Sequence, residues 1–300
     1  MSVLSIAAKT QPAARRSLPP DALHRTLNEL NRRRMTPTYD AAAWGDALES
    51  EYALRRLELA FIERERQTIA ARAAEAPLDA DGFVRWFEGL RETGPGQGDP
   101  LFPWLEQHAS LEQVKWFLEQ EMAGEAGFDD LVALTQVKLP ARAKLEMARN
   151  YWDEMGQGSA PGMHGPMLEG LARALELTPR VETTVWQSLA LANLMCGLAN
   201  NRCYAYQSVG ALGVIELTAP GRSACVNVGL KRLGMSGSAR RYYALHATLD
   251  IKHADAWQRE VLHTLVSAEP QCATAIAEGA LMRLTAGERC FTRYRRELWG

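Results

Sequence analysis

Three side chains able to bind a metal ion share one face of a predicted helix near the end of the sequence. They are His246, Asp250 and His253. Residues at positions i, i+4 and i+7 of an α-helix lie within an arc of about 60°. Tyr243 and Trp257 continue the same face, which indicates that it points into the protein interior. A polar stripe on a solvent-exposed helix is the alternative interpretation of this triplet.

A fourth candidate, Glu216, lies on the apolar face of a nearly uncharged segment. It follows Ala205, Val209 and Leu212 at helical spacing. A carboxylate on such a face is costly to bury unless it is paired or bound to a metal. The alternative is an exposed glutamate at a helix end, just before Pro220.

Another carboxylate interrupts the apolar face of a helix predicted over residues 110–136. Glu121 follows Phe117 by four positions and precedes Phe128 by seven, so we favour it as the inward-facing acid. Glu125 shares this face and is the alternate to Glu121. A charged, solvated edge of the helix is the third interpretation.

Glu154 and His164 flank a connection rich in glycine and proline. Glu154 is predicted at a helix C-terminus, where a negative charge is unfavourable by roughly 0.3–1 kcal/mol. A metal ion bound at the carboxylate would outweigh this penalty. An ordinary exposed glutamate is the alternative interpretation of Glu154. The complete set then contains four carboxylates and three imidazoles, a mixed ligand set that suits iron and, less selectively, manganese.

Seven ligands are too many for a structural zinc site, which takes four and usually includes cysteine. They are enough for two irons about 3.5–4 Å apart with open positions for O2. Helical bundles build such sites from inward-facing side chains on facing helices.

The apolar residues recur at spacings of three and four along the chain, so we predict an all-α fold. Residues 1–20 are expected to form a mobile arm, residues 21–100 N-terminal helices that add a layer or a dimer contact, and residues 101–300 the core, in one compact domain with those helices. The predicted helices span 21–34, 40–74, 79–92, 110–136, 140–155, 164–176, 181–217, 220–233, 237–268 and 270–297.

Composition excludes several classes of protein. The 34 basic residues nearly balance the 36 acidic ones, which leaves a net charge of -2 and predicts no nucleic-acid or membrane partner. The five cysteines form no CxxC pair, so a reducing cytoplasm is expected. We expect no signal peptide and no membrane span, because neither the N-terminal residues nor any later segment contains an apolar run of the required length.

The sequence resembles the haem-oxygenase-like diiron oxidases, also called iron-containing redox enzymes, over about residues 110–268. The resemblance is carried by four motifs that occur in the family's order. They are Glu121 in 116–121, Glu154 in 150–158 with His164 ten positions later, Glu216 in 210–216, and His246-x3-Asp250-x2-His253. Glu216 precedes His246 by thirty positions, as in the N-oxygenating members.

The resemblance implies a haem-oxygenase-like helical bundle and a partition of the ligands between two iron ions. One iron would be held by Glu121, His164 and His253. The second, often labile in relatives, would be held by Glu216, His246 and Asp250, with Glu154 bridging or completing the pair.

We therefore expect a non-haem diiron enzyme that uses O2 and an electron donor to oxygenate a small amine or amino-acid-like substrate, by N-oxygenation in specialised metabolism. Arg202, Tyr204 and Tyr206 are candidate substrate-binding residues. A homodimer is expected on general grounds. The alternatives are oxidative C–C cleavage or decarboxylation by the same fold, a cofactorless oxidase, a thiaminase-like hydrolase with a nucleophilic cysteine, and a non-enzymatic helical adaptor.

Overall fold

The structure, a computed structural model, describes residues 18–39, 44–124 and 126–300. Its regular elements are all helical, so the all-α prediction is confirmed for this part of the chain. Most of the predicted N-terminal arm lies outside the described residues. The α-helices are α1 (Pro20–Met35), α2 (Trp44–Ala73), α3 (Ala80–Thr93), α4 (Leu101–Gln107), α5 (Leu111–Ala123), α6 (Phe128–Thr135), α7 (Ala141–Glu154), α8 (His164–Leu175), α9 (Trp186–Asn200), α10 (Ala205–Arg232), α11 (Arg241–Ala256), α12 (His263–Ala268) and α13 (Cys272–Leu298).

Helix α10 lies at the centre of the molecule, with its most extensive contacts to α13 and α11. Two glycines allow α10 and α13 to cross with their backbones in contact. A Cβ at Gly210 would lie 1.9 Å from the carbonyl oxygen of Ile276, and one at Gly279 would lie 1.7 Å from that of Gln207. Any side chain at either position would force the helices apart, so the sequence places glycine on both sides of the crossing.

The prediction of one continuous helix over 181–217 is wrong, because the helical conformation is interrupted between α9 and α10. Asn201 adopts an extended conformation, and its side-chain amide caps the helix by donating to the carbonyl oxygen of Gly197. In contrast, α10 continues through Pro220, where a break was predicted. Proline lacks an N–H, so the carbonyl of Glu216 loses its usual partner within the helix.

The helix predicted over 110–136 is also two helices. Helix α5 begins with a capping box between Ser110 and Gln113, and it ends before Gly124. Gly127 precedes α6 with a φ of 74°, a conformation that favours glycine. Helix α4 was not predicted at all; its seven residues are too short for a clear periodicity.

Helix α11 continues into α12 through a π-helical segment, Trp257–Leu262. Trp257 is fully buried against α10, where a Cβ at Gly213 would lie 2.5 Å from its indole nitrogen. Because Gly213 has no side chain, the indole ring of Trp257 fits against α10 at this point. This packing fixes α11 against α10 and with it the face that carries the three predicted metal ligands.

The N-terminal helices pack on the core, α1 against α9 and α2 against α13. A buried hydrogen bond of 2.7 Å joins the side chains of Asn31 and Asn193, and a buried ion pair of 2.7 Å joins Arg34 and Glu58. No described helix is long and apolar enough to cross a membrane.

Candidate metal centre

Helices α7 and α8 bring Glu154 and His164 together through the connection between them. Gly156 has a φ of +60°, and a Cβ there would lie 2.3 Å from the backbone of Gly162, so the turn requires glycine. His164 Nδ1 consequently lies 2.6 Å from Glu154 Oε2, and both side chains are buried. Nδ1 nevertheless lacks hydrogen-bond geometry to any described group.

Helices α10 and α11 supply a second pair. His253 Nδ1 lies 3.5 Å from Glu216 Oε2, again without forming a hydrogen bond. The other oxygen of Glu216 accepts a hydrogen bond of 2.6 Å from the side-chain amide of Asn150. On the far side of the imidazole ring, His253 Nε2 lies 3.1 Å from Asp153 Oδ2.

The described residues form two groups of three possible ligands, and both groups contain Glu154. One contains Glu154, His164 and His246, the other Glu154, Glu216 and His253, and within each group the ligand atoms lie within 4.8 Å of one another. The resemblance implies a bridging or completing position for Glu154, and this position stays a prediction. The histidines are grouped differently, since His164 lies with His246 and not with His253.

Asp250 and Glu121 lie outside the two groups but line the same cavity. Asp250 is buried, and its Oδ1 has no hydrogen-bond partner in the described part of the chain. Burial and the charges of Glu216 and Glu154 raise its pKa to about 9. Glu121 Oε1 accepts a hydrogen bond of 2.8 Å from the hydroxyl of Tyr294, and burial raises the pKa of Glu121.

For two of the three histidines, hydrogen bonding determines which ring nitrogen can bind a metal. His246 Nδ1 lies 2.7 Å from the carbonyl oxygen of Tyr242, which can only accept, so Nδ1 carries the proton and Nε2 is available. For His253 the contact with Asp153 places the proton on Nε2 and leaves Nδ1 towards Glu216. Such outer partners commonly orient metal-binding histidines.

The three imidazoles differ in basicity. Burial lowers the pKa of His164 and that of His246 to about 4, and the neighbouring imidazoles add to this effect, so both rings are neutral at pH 7. Burial also acts to lower the pKa of His253, but Glu216 and Asp153 raise it to about 9. Metal binding at His253 would therefore release a proton.

The residues fit iron ions. Four carboxylates and three imidazoles form the mixed oxygen and nitrogen set that iron accepts. Three of the buried polar atoms without hydrogen bonds in the described part of the chain belong to this set, namely His164 Nδ1, His253 Nδ1 and Asp250 Oδ1. Buried polar atoms without partners are costly, and a bound cation would satisfy them.

The cavity beside these ligands has a volume of about 190 Å³. Five of the seven predicted ligands line it, namely Glu121, Glu154, Glu216, His246 and Asp250. Aromatic rings and two arginines, Arg222 and Arg283, form other parts of its wall. The arrangement can hold cations at one end and an organic molecule beside them.

The candidate substrate-binding residues lie away from this cavity, and their role stays a prediction. The Arg202 guanidinium donates to the carbonyl oxygens of Leu134 and Thr135 at the end of α6. The Tyr204 hydroxyl donates to Glu63 over 2.6 Å, and Tyr206 packs against the hydrophobic core. None of the three lines the cavity. Glu125, the alternate ligand, lies outside the described residues.

Several residues of the site escaped prediction. Asn150 and Asp153 precede Glu154 by four and one positions, within a motif already singled out, but their partners Glu216 and His253 are distant in sequence. Tyr294 comes from α13, beyond all the motifs. Arg222 follows Glu216 in α10, and only its position on the cavity wall reveals it.

The fold and the site define a class of protein: an all-helical bundle with a buried carboxylate and imidazole cluster beside a small cavity. Residues 115–288 match the family described as "Iron-containing redox enzyme", which is more than half of the chain. The chain belongs to this family, and its fold is the haem-oxygenase-like bundle that the sequence predicted.

Among solved structures, the chain is similar to a CADD-like protein of unknown function from Nostoc punctiforme PCC 73102. The TM-score is 0.52 at 16% sequence identity, and the match covers 80% of this chain and 99% of that chain. This similarity supports the fold alone. A comparison with curated proteins finds no match.

Proposed function

We propose that the protein is a non-haem diiron oxygenase that uses O2 to oxidise the nitrogen of a small amine or amino-acid-like substrate. The observation that carries the proposal is the pair of ligand groups that share Glu154, because one carboxylate common to two groups is the arrangement that two neighbouring metal ions need. Membership of a family of iron-containing redox enzymes supports iron as the metal.

The two groups would hold the irons, one through His164 and His246 and the other through Glu216 and His253, with Glu154 between them. Asp250 and Glu121 are the remaining ligands available from the cavity wall. When bound, ferrous iron supplies the electrons that activate O2. In the balanced reaction one oxygen atom joins the amine nitrogen to give a hydroxylamine, the other leaves as water, and an external donor supplies two electrons with two protons.

The chain's own side chains would position this chemistry. The carbonyl of Tyr242 fixes the tautomer of His246, and Asp153 holds the ring of His253. Asn150 keeps one oxygen of Glu216 in place and leaves the other towards His253. Apolar side chains in the cavity wall, such as Phe117, Phe128 and Leu191, would limit water beside the reacting groups, which favours the oxidation of substrate over side reactions.

The hydrolase alternative fits the cysteines less well. No cysteine lines the cavity among the residues that the structure describes. Burial raises the pKa of Cys225 to about 11 and the pKa values of Cys272 and Cys290 to about 12, which opposes the thiolate that a nucleophile requires. Oxidative C–C cleavage or decarboxylation by the same iron pair would instead be recognised from its products.

Anaerobic titration with Fe(II) tests the metal centre. We expect two irons per chain, and fewer in His253→Ala and in Glu121→Ala. His263→Ala and Glu112→Ala are matched controls, because both side chains are exposed and lie outside the cavity, and they should keep two irons.

Oxygen chemistry needs a separate measurement. The iron-loaded protein should consume O2 in the presence of a reductant and a substrate amine, and label from ¹⁸O2 should appear on the product nitrogen. Tight binding of zinc in preference to iron, or full activity in a chelated sample, would contradict the proposal.

A further inference from the structure

Arg222 occupies an unusual position on the cavity wall. It follows Glu216 on α10 and lines the cavity together with the predicted ligands. Its guanidinium lies over the rings of Phe102 and Phe291, 5.8 and 5.4 Å from their centroids. Such stacking holds the flat group in a fixed orientation and leaves its N–H edge free for a ligand.

Few acceptors of opposite charge lie near the guanidinium of Arg222. Among the described residues, its one hydrogen bond is to the neutral Thr218 hydroxyl, at 2.6 Å, and no carboxylate of this set lies within 4 Å of it. Glu121 attracts it from a greater distance, but one oxygen of Glu121 is bound by Tyr294. Burial, with the nearby charge of Arg283, lowers the pKa of Arg222 to about 9, still well above neutrality. The group is therefore a cation with unused donors.

Arg222 also lies at a boundary. It and Phe102 line a second cavity of about 400 Å³, whose wall includes Leu217 and the half-exposed Ile251. The first, which we call the inner cavity, is lined by predicted metal ligands, and the second, which we call the outer cavity, is lined by none of them. Arg222 therefore belongs to the walls of both cavities.

We propose that Arg222 binds the carboxylate of the substrate and so orients the rest of the molecule into the inner cavity. The inference rests on the proposed function, since it concerns the substrate of that same site. A guanidinium presents two parallel N–H groups that match the two oxygens of a carboxylate, and such charge-assisted pairs are stronger than neutral hydrogen bonds. The ligand class is an organic acid, and an amino acid is the member that also carries a nitrogen to be oxidised.

The dimensions of the inner cavity favour a small acid. Its volume of about 190 Å³ is below the range of roughly 300–1,000 Å³ that is typical of pockets for drug-sized ligands. With the carboxylate at Arg222, the opposite end of the ligand would lie towards Glu154, Glu216 and His246, which line the same cavity. A long-chain fatty acid would need the outer cavity as well.

Binding to the iron-free protein tests this proposal without any catalysis. Calorimetry would compare acids with the matched amines that lack the carboxylate: phenylalanine with phenethylamine, and ω-aminohexanoate with hexylamine. Hexanoate separates simple fatty acids from amino acids. We expect at least one amino acid to bind more tightly than its matched amine and than hexanoate.

Substitution of the arginine should remove this preference. In Arg222→Gln the dissociation constant of the acid should rise about tenfold to a hundredfold, as expected for the loss of charge-assisted hydrogen bonds. The constant for the matched amine should stay within about twofold, and Arg222→Lys should give an intermediate value because a lysine lacks the planar fork. Arg173→Gln, which removes the same charge from the exposed face of α8, should bind as the wild type does.

Several results would overturn the carboxylate site. They are equal binding of acids and amines by the wild type, undiminished binding of acids by a folded Arg222→Gln, and no saturable binding of any acid at millimolar concentrations. Tighter binding of hexanoate than of the amino acids would overturn the amino-acid assignment. The binding assay contains neither iron nor O2. A negative result in this assay would therefore not contradict the metal centre, and a negative iron titration would not contradict the binding of acids at Arg222.

Discussion

The three histidines of the candidate centre lie close together in the protein interior. Their charges differ because different groups surround each ring. His246 is held neutral by burial and by the neighbouring His164, whereas His253 lies between two carboxylates that keep it protonated in the metal-free protein. Partner identity therefore decides which rings bind a cation directly and which one must first release a proton. The partner of His253 can be changed without touching a predicted ligand.

Replacement of Asp153 by asparagine should weaken iron binding by about tenfold, the lower end of the effect seen when an outer partner of a metal-binding histidine is lost. The amide still accepts from His253 Nε2, but it no longer raises the basicity of the ring. Anaerobic Fe(II) titration measures the change. Asp255→Asn, on the exposed face of α11, is the matched control, and equal affinities of the two variants would contradict a role for Asp153.

A different histidine should make stability depend on pH. His24 is buried between Phe61 and Trp186, with ring centroids 4.7 and 5.7 Å away, and burial lowers its pKa to about 4. Its ordinary value is 6.5, so the unfolded chain takes up the proton first, and the free energy of unfolding falls as the pH drops from 6.5 towards 4. The full loss from this residue is about 3 kcal/mol.

Denaturant unfolding of the wild type and of His24→Phe across this pH range isolates the contribution. Phenylalanine fits the aromatic surroundings and cannot be protonated, so the difference in stability between the two proteins should shift by about 3 kcal/mol in favour of the variant at acidic pH. Parallel pH dependences for the two proteins would show that His24 is not responsible.

At the residue scale, the sequence predicted the burial of acidic side chains that are costly to bury. It did not predict the contacts of polar side chains of types that occur throughout proteins. Glu216 and Asp250 stood out as acids on apolar faces, and both are buried. Arg202 and Tyr204 were chosen only for being large and polar near the central helix, and they serve to cap α6 and to bind Glu63. Which of two arginines faces a cavity depends on contacts between distant helices, as Arg222 shows.

At the scale of elements, the crossing of α10 and α13 predicts which glycines the fold requires. Gly210→Ala should destabilise the protein by about 2 kcal/mol or more, because the added Cβ would overlap the backbone of Ile276 and the helices must separate. Gly221→Ala in the same helix meets nothing within 4 Å and should be neutral or stabilising by up to about 1 kcal/mol. Thermal unfolding of the two variants compares them directly, and similar effects would contradict the close crossing.

The same scale shows why helices were predicted well in type and less well in extent. Periodicity marks a helical segment, but its continuity depends on local bonds that periodicity does not report. A side-chain cap at Asn201 ends α9 within a segment whose helical periodicity continues, and α10 continues through Pro220 although proline donates no backbone hydrogen bond. Boundaries marked by glycine, such as those around residues 156–162, were located correctly because the turn itself requires that residue type.

At the scale of the whole molecule, the charges are nearly balanced overall but unevenly placed. The chain has a net charge of -2, while the interior gathers the carboxylates of Glu121, Glu154, Glu216 and Asp250 around one cavity. Mutual repulsion and lost hydration make this cluster costly to assemble without cations. The fold should therefore be least stable when metal-free.

Iron should consequently stabilise the folded protein as a ligand that the unfolded chain binds poorly. At a free Fe(II) concentration a hundredfold above the dissociation constant, the gain is about 2.7 kcal/mol for each bound iron, or a rise of about 4 °C per iron in the melting temperature of a chain of this length. Anaerobic calorimetry with Fe(II) and with a chelator measures the difference. His253→Ala should lose much of the gain and the exposed His263→Ala none of it, whereas a melting temperature that ignores Fe(II) in the wild type would mean that the buried acids are stabilised by protonation and not by metal.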